Sequence, residues 1–354
     1  MRLLVDAFGN AIPKAILAHL IEEGVEVKLY NPARGRNLLN FRRLHRRLHD
    51  KLLVVDDEEM VVGGRNITEG YFGMRDKRQF HDLDTYVSGP AATAAKGFFR
   101  QLWDAPHVMP PARLSWVSRA NIAMAKESLD HYDDVMAQPR FLALLKRDWR
   151  ANTRTLTSAR FVHDPVDMSQ KSPRTIHSWK RLFASAKKEI VLITPYLIPT
   201  KEVRSMIRHA RARGVTVKIF TNSRRSGERW TQAAYELYAP VIARMGVEIW
   251  EFDETSMLHA KSVLVDGKRA YVGSYNTDPR SQRFNTETGA IMEGPELAAD
   301  LARFAADLQS RSRLVAHDGK LDVQAWRRHT GPVGRMLWPI FGGFIKELGI
   351  AKYL

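Results

Sequence analysis

The sequence predicts an α/β protein of two related units joined about a pseudo-twofold axis. Each unit is expected to be a mostly parallel sheet flanked by helices, and the first lacks the helix–strand–helix with which the second opens. Three observations lead to this. Two segments repeat in register 210 residues apart. Helical and strand patterns alternate through both halves, as they do when strands are covered by crossover helices. The second half also carries an opening that has no counterpart in the first.

The first unit, residues 1–110, begins directly at a strand, RLLVDAFGN, and continues through a helix into the strand GVEVKLYNP. A basic run follows, with arginines at 34, 36, 42, 43, 46 and 47 around His45. In LHDKLLVVDDEEMVVGGRN the apolar run is short, β-branched and bounded by acidic turn residues, which marks a buried strand. HDLDTYVSGP closes the unit. Residues 111–170 form a helical connector of two helices, SWVSRANIAMAKESLDHYDDVM and PRFLALLKRDWRANT, ending in the strand ARFVHDPVD. The second unit, residues 171–315, opens with RTIHSWKRLFASAKKEIVLITPYLIP and KEVRSMIRHARARG before its strand VTVKIFTN. GVEIWEFDE then parallels GVEVKLYNP, and LHAKSVLVDGKRAYVGSYN parallels the first unit's strand segment. Residues 316–354 are an amphipathic tail ending in GRMLWPIFGGFIKELGIAKYL.

The repeat is dense in chemically informative residues. His49 and His259, Lys51 and Lys261, Asp56 and Asp266, Gly63 and Gly273, and Asn66 and Asn276 occupy matching positions. One His-x-Lys-x4-Asp run is a weak signal, but two in register, each followed by Gly and Asn, are a strong one. Aligning the Gly-Pro ends of HDLDTYVSGP and NTETGAIMEGP pairs Asp82 with Glu287. Met1 reads as an internal start, with the first unit's opening expected ahead of it. The alternative is a partner chain that supplies the missing strand. Either way, an exposed sheet edge is expected, which is a liability for a free monomer.

Composition narrows the function classes. With 354 residues, 44% of them hydrophobic, the chain can bury a sizeable core and divide into two domains. Its net charge of +16 favours a polyanionic partner, either anionic lipid or nucleic acid. The absence of cysteine excludes a disulfide framework, a thiolate metal site and a Cys nucleophile, and fits a reducing compartment. No uninterrupted apolar run reaches the roughly 18 residues of a membrane span, and MRLLVDAFGN lacks the pattern of a signal peptide.

Alternation along a strand puts His49 and Lys51 on one face, and His259 and Lys261 likewise. Asp56 and Asp266 fall on the other parity, at the strand ends, where supporting roles are expected. A protonated Lys is no ligand and repels cations, so no metal site or cofactor is expected here. Lysine does bind phosphate, and imidazole serves as nucleophile or proton carrier near neutral pH. Two such pairs across a twofold provide two histidines for one phosphorus: one attacks while the other protonates the leaving alkoxide and later deprotonates the acceptor. Gly63 and Gly273 are expected to allow tight turns. Asn66 and Asn276 are candidate amide donors to phosphate oxygens, and Asp82 and Glu287 candidate acceptors for the Nδ1 protons of the two imidazoles. His45, in the basic run, reads as part of a surface patch. His81, His107, His131, His163 and His177 have no matched partner and read as structural.

HDKLLVVD and HAKSVLVD resemble the two HKD motifs of the phospholipase D superfamily, over nearly the whole chain apart from the missing opening. HRRLHDKLLVVD, GGRN and GSYNTDPRSQRFNTETG resemble the bacterial cardiolipin synthases in particular. The resemblance implies transfer of a phosphatidyl group from phosphatidylglycerol to a hydroxyl of a second phospholipid. It also implies His49 as nucleophile, His259 as acid and base, Lys51 and Lys261 as phosphate holders, and Asp56 and Asp266 as the motif acids.

A lipid substrate is met at a membrane surface, and a peripheral protein on the cytoplasmic face of the bacterial cell membrane is expected. The tail from Met336 to Leu354 suits an interfacial helix with Trp338 near the headgroups, or alternatively a terminal helix packed on the body. The arginines before the first motif are placed to gather anionic headgroups. The rivals are a phosphodiesterase hydrolysing phospholipid or nucleic acid, and a catalytically silent lipid-binding module. Nucleic acid is the less expected partner, because no basic platform with interleaved aromatics is evident.

Overall fold

The computed structural model of the chain describes residues 1–8, 10, 12–33, 45–74, 79–111, 117–148, 150–167 and 174–326. The first half runs β1 (Arg2–Asp6), α1 (Lys14–Glu22), β2 (Glu26–Tyr30), β3 (Arg47–Leu48), β4 (Leu52–Val55), β5 (Glu59–Gly63), β6 (Phe80–His81), β7 (Asp84–Ser88), α2 (Pro90–Trp103) and β8 (Val108–Met109). The expected helix pair is present as α3 (Arg119–Met136) and α4 (Pro139–Leu145), followed by β9 (Ser158–His163). The second half runs α5 (Arg174–Ala184), β10 (Glu189–Ile193), α6 (Lys201–Ala212), β11 (Thr216–Asn222), α7 (Arg229–Ala243), β12 (Glu248–Phe252), β13 (Met257–Leu258), β14 (Ser262–Val265) and β15 (Arg269–Gly273). It closes with α8 (Pro279–Arg283), β16 (Asn285–Thr286), β17 (Thr288–Glu293), α9 (Pro295–Ser310), β18 (Ser312–His317) and β19 (Lys320–Leu321).

Contacts divide the chain into two units. One combines residues Met1–Leu48 with Phe99–Thr155. It holds the sheet β1-β2-β8, in which β1 and β2 run parallel from Arg2↔Glu26 to Asp6↔Tyr30, with α1 as the crossover and α3 packed on α1.

The other unit combines His49–Phe98 with the described residues from Leu156 on. Its large sheet has nine strands in the order β19-β18-β12-β11-β10-β14-β15-β17-β9. Parallel strands flanked by helices are present as expected, in β10-β11-β12. The remaining pairings are antiparallel, which corrects the expectation of a mostly parallel sheet. The physical reason lies in the connections. β4 and β5, like β14 and β15, are joined by three residues, far too few for a parallel crossover. Each of these turns opens on an aspartate in the left-handed region, Asp56 at φ 49° and Asp266 at φ 53°, a conformation that Asp tolerates better than most residues.

The helices follow their apolar spacing. α5 buries Ile176, Trp179, Leu182 and Phe183, and α6 buries Val203, Met206, Ile207 and Ala210, each a stripe at intervals of three and four residues. Thr200 caps α6, its hydroxyl accepting from the Val203 N–H at 3.3 Å. Trp179, fully buried, meets Tyr271 and Tyr275 edge-on with ring centroids 5.4 and 5.0 Å apart.

The two motif hairpins have identical registers, Leu52↔Val62 and Ser262↔Val272. They differ in what lies beside them. β10 joins β14 on one side and β11 on the other, whereas β4 is the edge of a separate sheet, β4-β5-β7. Among the described residues no strand pairs with the free side of β4, and β1-β2-β8 forms a sheet apart from β4-β5-β7. Leu53 and Val55 of β4 are 57% and 41% exposed, while all four residues of β14 are buried.

Candidate active site

Each strand of the motifs begins one residue beyond its lysine, so the His-x-Lys segments are extended leads into β4 and β14 rather than part of them. Backbone bonding still reaches them, because Gly63 N–H donates to Lys51 O at 3.3 Å and Gly273 N–H to Lys261 O at 3.2 Å. These glycines are matched for close approach rather than for turns. A Cβ at Gly63 would lie 2.5 Å from Leu83 O, and one at Gly273 would lie 2.6 Å from Gly289 Cα.

The imidazoles are held crosswise. His49 Nδ1 lies 3.0 Å from Glu287 Oε2, and His259 Nδ1 lies 2.5 Å from Asp82 Oδ2, so each half supplies the carboxylate of the other's histidine. Pairing of β6 with β13 carries Asp82 to His259, with the His259 N–H donating to His81 O at 2.7 Å. The His49 N–H donates to Thr286 Oγ1 at 3.2 Å, beside Glu287. Both carboxylate side chains are completely buried. Ser274 Oγ donates to Glu287 at 2.5 Å, whereas Gly64, at the matching position, leaves room for Asp82 itself. An Nδ1–H pointing at a carboxylate leaves Nε2 with its lone pair.

A lysine accompanies each imidazole. Lys51 Nζ donates to His49 O at 2.8 Å, and Lys261 Nζ, fully buried, lies 2.6 Å from His259 Nδ1 and 3.9 Å from Asp82 Oδ2. Burial, then Lys51, Lys261 and Arg280, hold His49 well below its ordinary value. Burial and Lys261 push His259 down to about 3 against the pull of Asp82. Burial foremost lowers Lys261 to about 8. Each histidine feels the lysine of both motifs, so the four groups form one electrostatic cluster.

The remaining candidates separate. Asn66 donates to Tyr71 OH at 3.1 Å, and the Tyr71 ring meets His259 edge-on at 5.2 Å. Asn276 is buried, and its Oδ1 has no hydrogen-bond partner among the described residues. Asp56 and Asp266, the motif acids, do not join the cluster. Asp266 accepts from the backbone N–H groups of Lys187, Lys188 and Glu189 at 2.8, 2.7 and 2.9 Å, pinning the start of β10. Asp56 is exposed. Arg47 does not gather headgroups either, since it pairs with Asp6 at 3.3 Å. Arg34, Arg36, Arg42, Arg43 and the tail from Met336 lie outside the described residues.

Sequence reasoning missed three features. Tyr71, stacked on Phe80 at 4.3 Å, forms with Phe80 an aromatic wall beside His259. Arg280, in the NTDPRSQR stretch, adds a third positive charge around His49. Asp50, between His49 and Lys51, is raised to about 7 by burial and by Glu287. Only the Asn-x-Asp-Pro-Arg resemblance carried any signal, and that for Arg280 alone.

Residues 179–308 match the family model described as cardiolipin synthase, PLD-like domain. This match and the paired His-x-Lys cluster liken the chain to the phospholipase D superfamily. Its similarity within the superfamily is to the bacterial cardiolipin synthases. It is 31% identical over 317 residues to cardiolipin synthase C of Escherichia coli (strain K12), covering 77% of this chain and 65% of that protein. It is 28% identical over 341 residues to cardiolipin synthase A of Pseudomonas aeruginosa (strain LESB58), covering 95% of this chain and 61% of that protein. The chain thus spans less than two thirds of the length of these relatives. A phosphatidylserine synthase structure from Haemophilus influenzae Rd KW20 shares the fold, with a TM-score of 0.68 at 17% identity over 100% of this chain and 83% of that one.

Proposed function

We propose that the protein is a phosphatidyltransferase that makes cardiolipin from phosphatidylglycerol and a second phospholipid through a phosphohistidine. The observation that carries this is the crosswise pair of imidazoles, each backed by a buried carboxylate and accompanied by a lysine. Similarity to the cardiolipin synthases supports the lipid substrate. His49 has the more accessible ring, at 23% against 8% for His259, which suits it as the nucleophile.

In the first step His49 Nε2 attacks phosphorus, the P–O bond to the leaving glycerol breaks, and His259 gives that oxygen its proton. In the second, His259 takes the proton of the acceptor hydroxyl, which attacks phosphorus as the P–N bond breaks. Lys51, Lys261 and Arg280 stabilise the negative oxygens, with Asn66 and Asn276 as amide donors beside them. Without substrate both histidines are held unprotonated, the state a nucleophile needs. The charge of the phosphodiester favours the imidazolium form and so returns the proton that His259 must donate.

The test is to incubate the protein with vesicles containing labelled phosphatidylglycerol and separate the products. Cardiolipin with glycerol is expected; phosphatidic acid would instead mark a hydrolase. His49→Ala and His259→Ala should each abolish turnover, and a near-normal rate in either removes that residue from the mechanism. Among the described residues no helix is long and apolar enough to cross a membrane, and contact with the lipid surface is proposed to be peripheral.

A further inference from the structure

A second concave feature lies in the same unit as the imidazole cluster. It is a cleft of about 530 Å³ between β9, at the edge of the nine-stranded sheet, and the exposed side of α5. Arg160 and His163 line it from β9, and Arg174, His177, Lys180 and Arg181 from α5. Among the described residues none of its four permanent cations forms an ion pair. Arg181 Nη2 donates to a hydroxyl, Ser178 Oγ, at 3.3 Å. Asp164, which follows β9, is buried and accepts from the Thr175 backbone N–H at 3.1 Å.

Some cations elsewhere are paired. Arg313 meets Glu251 and Asp253, and Arg65 meets Asp84. Four unpaired cations around one hollow repel each other, and that repulsion is relieved when an anion with several oxygens enters. The guanidinium forks and the lysine suit the tetrahedral oxygens of a phosphate. His163 adds a fixed wall. Its Nδ1–H donates to Asp164 O at 2.8 Å, and its ring lies against Phe98 and Phe161 at 4.4 and 5.6 Å.

The cleft is also tied to the active site. His163 pairs with Thr288 across the β9–β17 ladder, and the Asp164 N–H donates to Glu287 O at 2.9 Å. The strand that floors the cleft therefore runs beside the residue that holds His49.

We infer that this cleft is a second phosphate site, separate from the one at the imidazoles, which holds the phosphate of an anionic phospholipid headgroup in the membrane surface. It does not depend on the phosphohistidine chemistry and would hold equally for a hydrolase.

The experiment is flotation of the full chain with vesicles of phosphatidylglycerol in phosphatidylcholine. Arg174→Glu/Arg181→Glu is compared with Arg208→Glu/Arg244→Glu, an equal change of charge at exposed positions outside the cleft. Single Arg181→Gln serves in case the double reversal unfolds. The cleft variants should bind about tenfold more weakly and the control much less so. Equal losses in cleft and control variants, or no loss in the cleft variants, would overturn the site. Thermal shift with inorganic phosphate separates free anion from lipid. Loss of the phosphate response with unchanged flotation would overturn the lipid assignment. So would loss of DNA binding with unchanged flotation, which would make nucleic acid the ligand.

Discussion

His259 and Lys261 illustrate how burial tunes a pair of bases. Burial does the larger part in both; the Lys261 ammonium lowers His259 further, and Lys51 lowers Lys261. The consequence for activity has a definite sign. Both histidines are already neutral well below their ordinary value, so kcat/KM for the free protein should show no acid limb near the usual histidine range. Lys261 loses its proton as pH rises through about 8, and with it the positive charge that holds phosphate, so kcat/KM should fall above that point. A pH–rate profile that stays flat through and beyond it would remove Lys261 from phosphate binding. The two pairs were legible in the sequence because their spacing repeats. Asp50 was not, since its matching position is Ala260 and its burial is a tertiary property.

At the level of elements, the matched aspartates have come to differ in role because their strands have different neighbours. Asp266 accepts three backbone N–H groups at the start of β10, while among the described residues β4 has no strand in that place and Asp56 faces solvent. Asp266→Ala should therefore cost about 1–2 kcal/mol of stability by chemical denaturation, much as loss of a helix cap does. Asp56→Ala should stay within about 0.5 kcal/mol. Equal effects would contradict this assignment. The Asp266 carboxyl sits below its ordinary 3.8, so its contribution is present above that pH and is lost as pH falls through the lower folded value. That β10 stands beside the second motif hairpin, with no described counterpart beside β4, was legible from the one-sided repeat. The antiparallel majority of the strands was legible too, in the three-residue turns of each motif, but the alternation of helices and strands pointed the other way.

Across the whole molecule the two halves exchange carboxylates. The alignment of Gly-Pro ends paired Asp82 with Glu287, yet no spacing in one chain tells which imidazole each will serve, because only folding decides what meets across the interior. The exchange has a measurable signature. Asp82→Asn should alter the titration of His259, in the opposite half, more than that of His49, and Glu287→Gln should alter that of His49 more than that of His259; imidazole NMR reads both. Either change should slow turnover by roughly 10²–10⁴, the scale of a lost tautomer lock or proton transfer. Shifts confined to the mutated half would contradict the exchange.

The exchange also makes the reaction centre a poor witness of partial damage and a good one of complete folding. A molecule with only one half intact keeps a histidine without its counter-charge, and no weakened form of the chemistry is left to it. Heat or denaturant should therefore extinguish catalysis in step with the loss of the large sheet, without an intermediate plateau of residual rate.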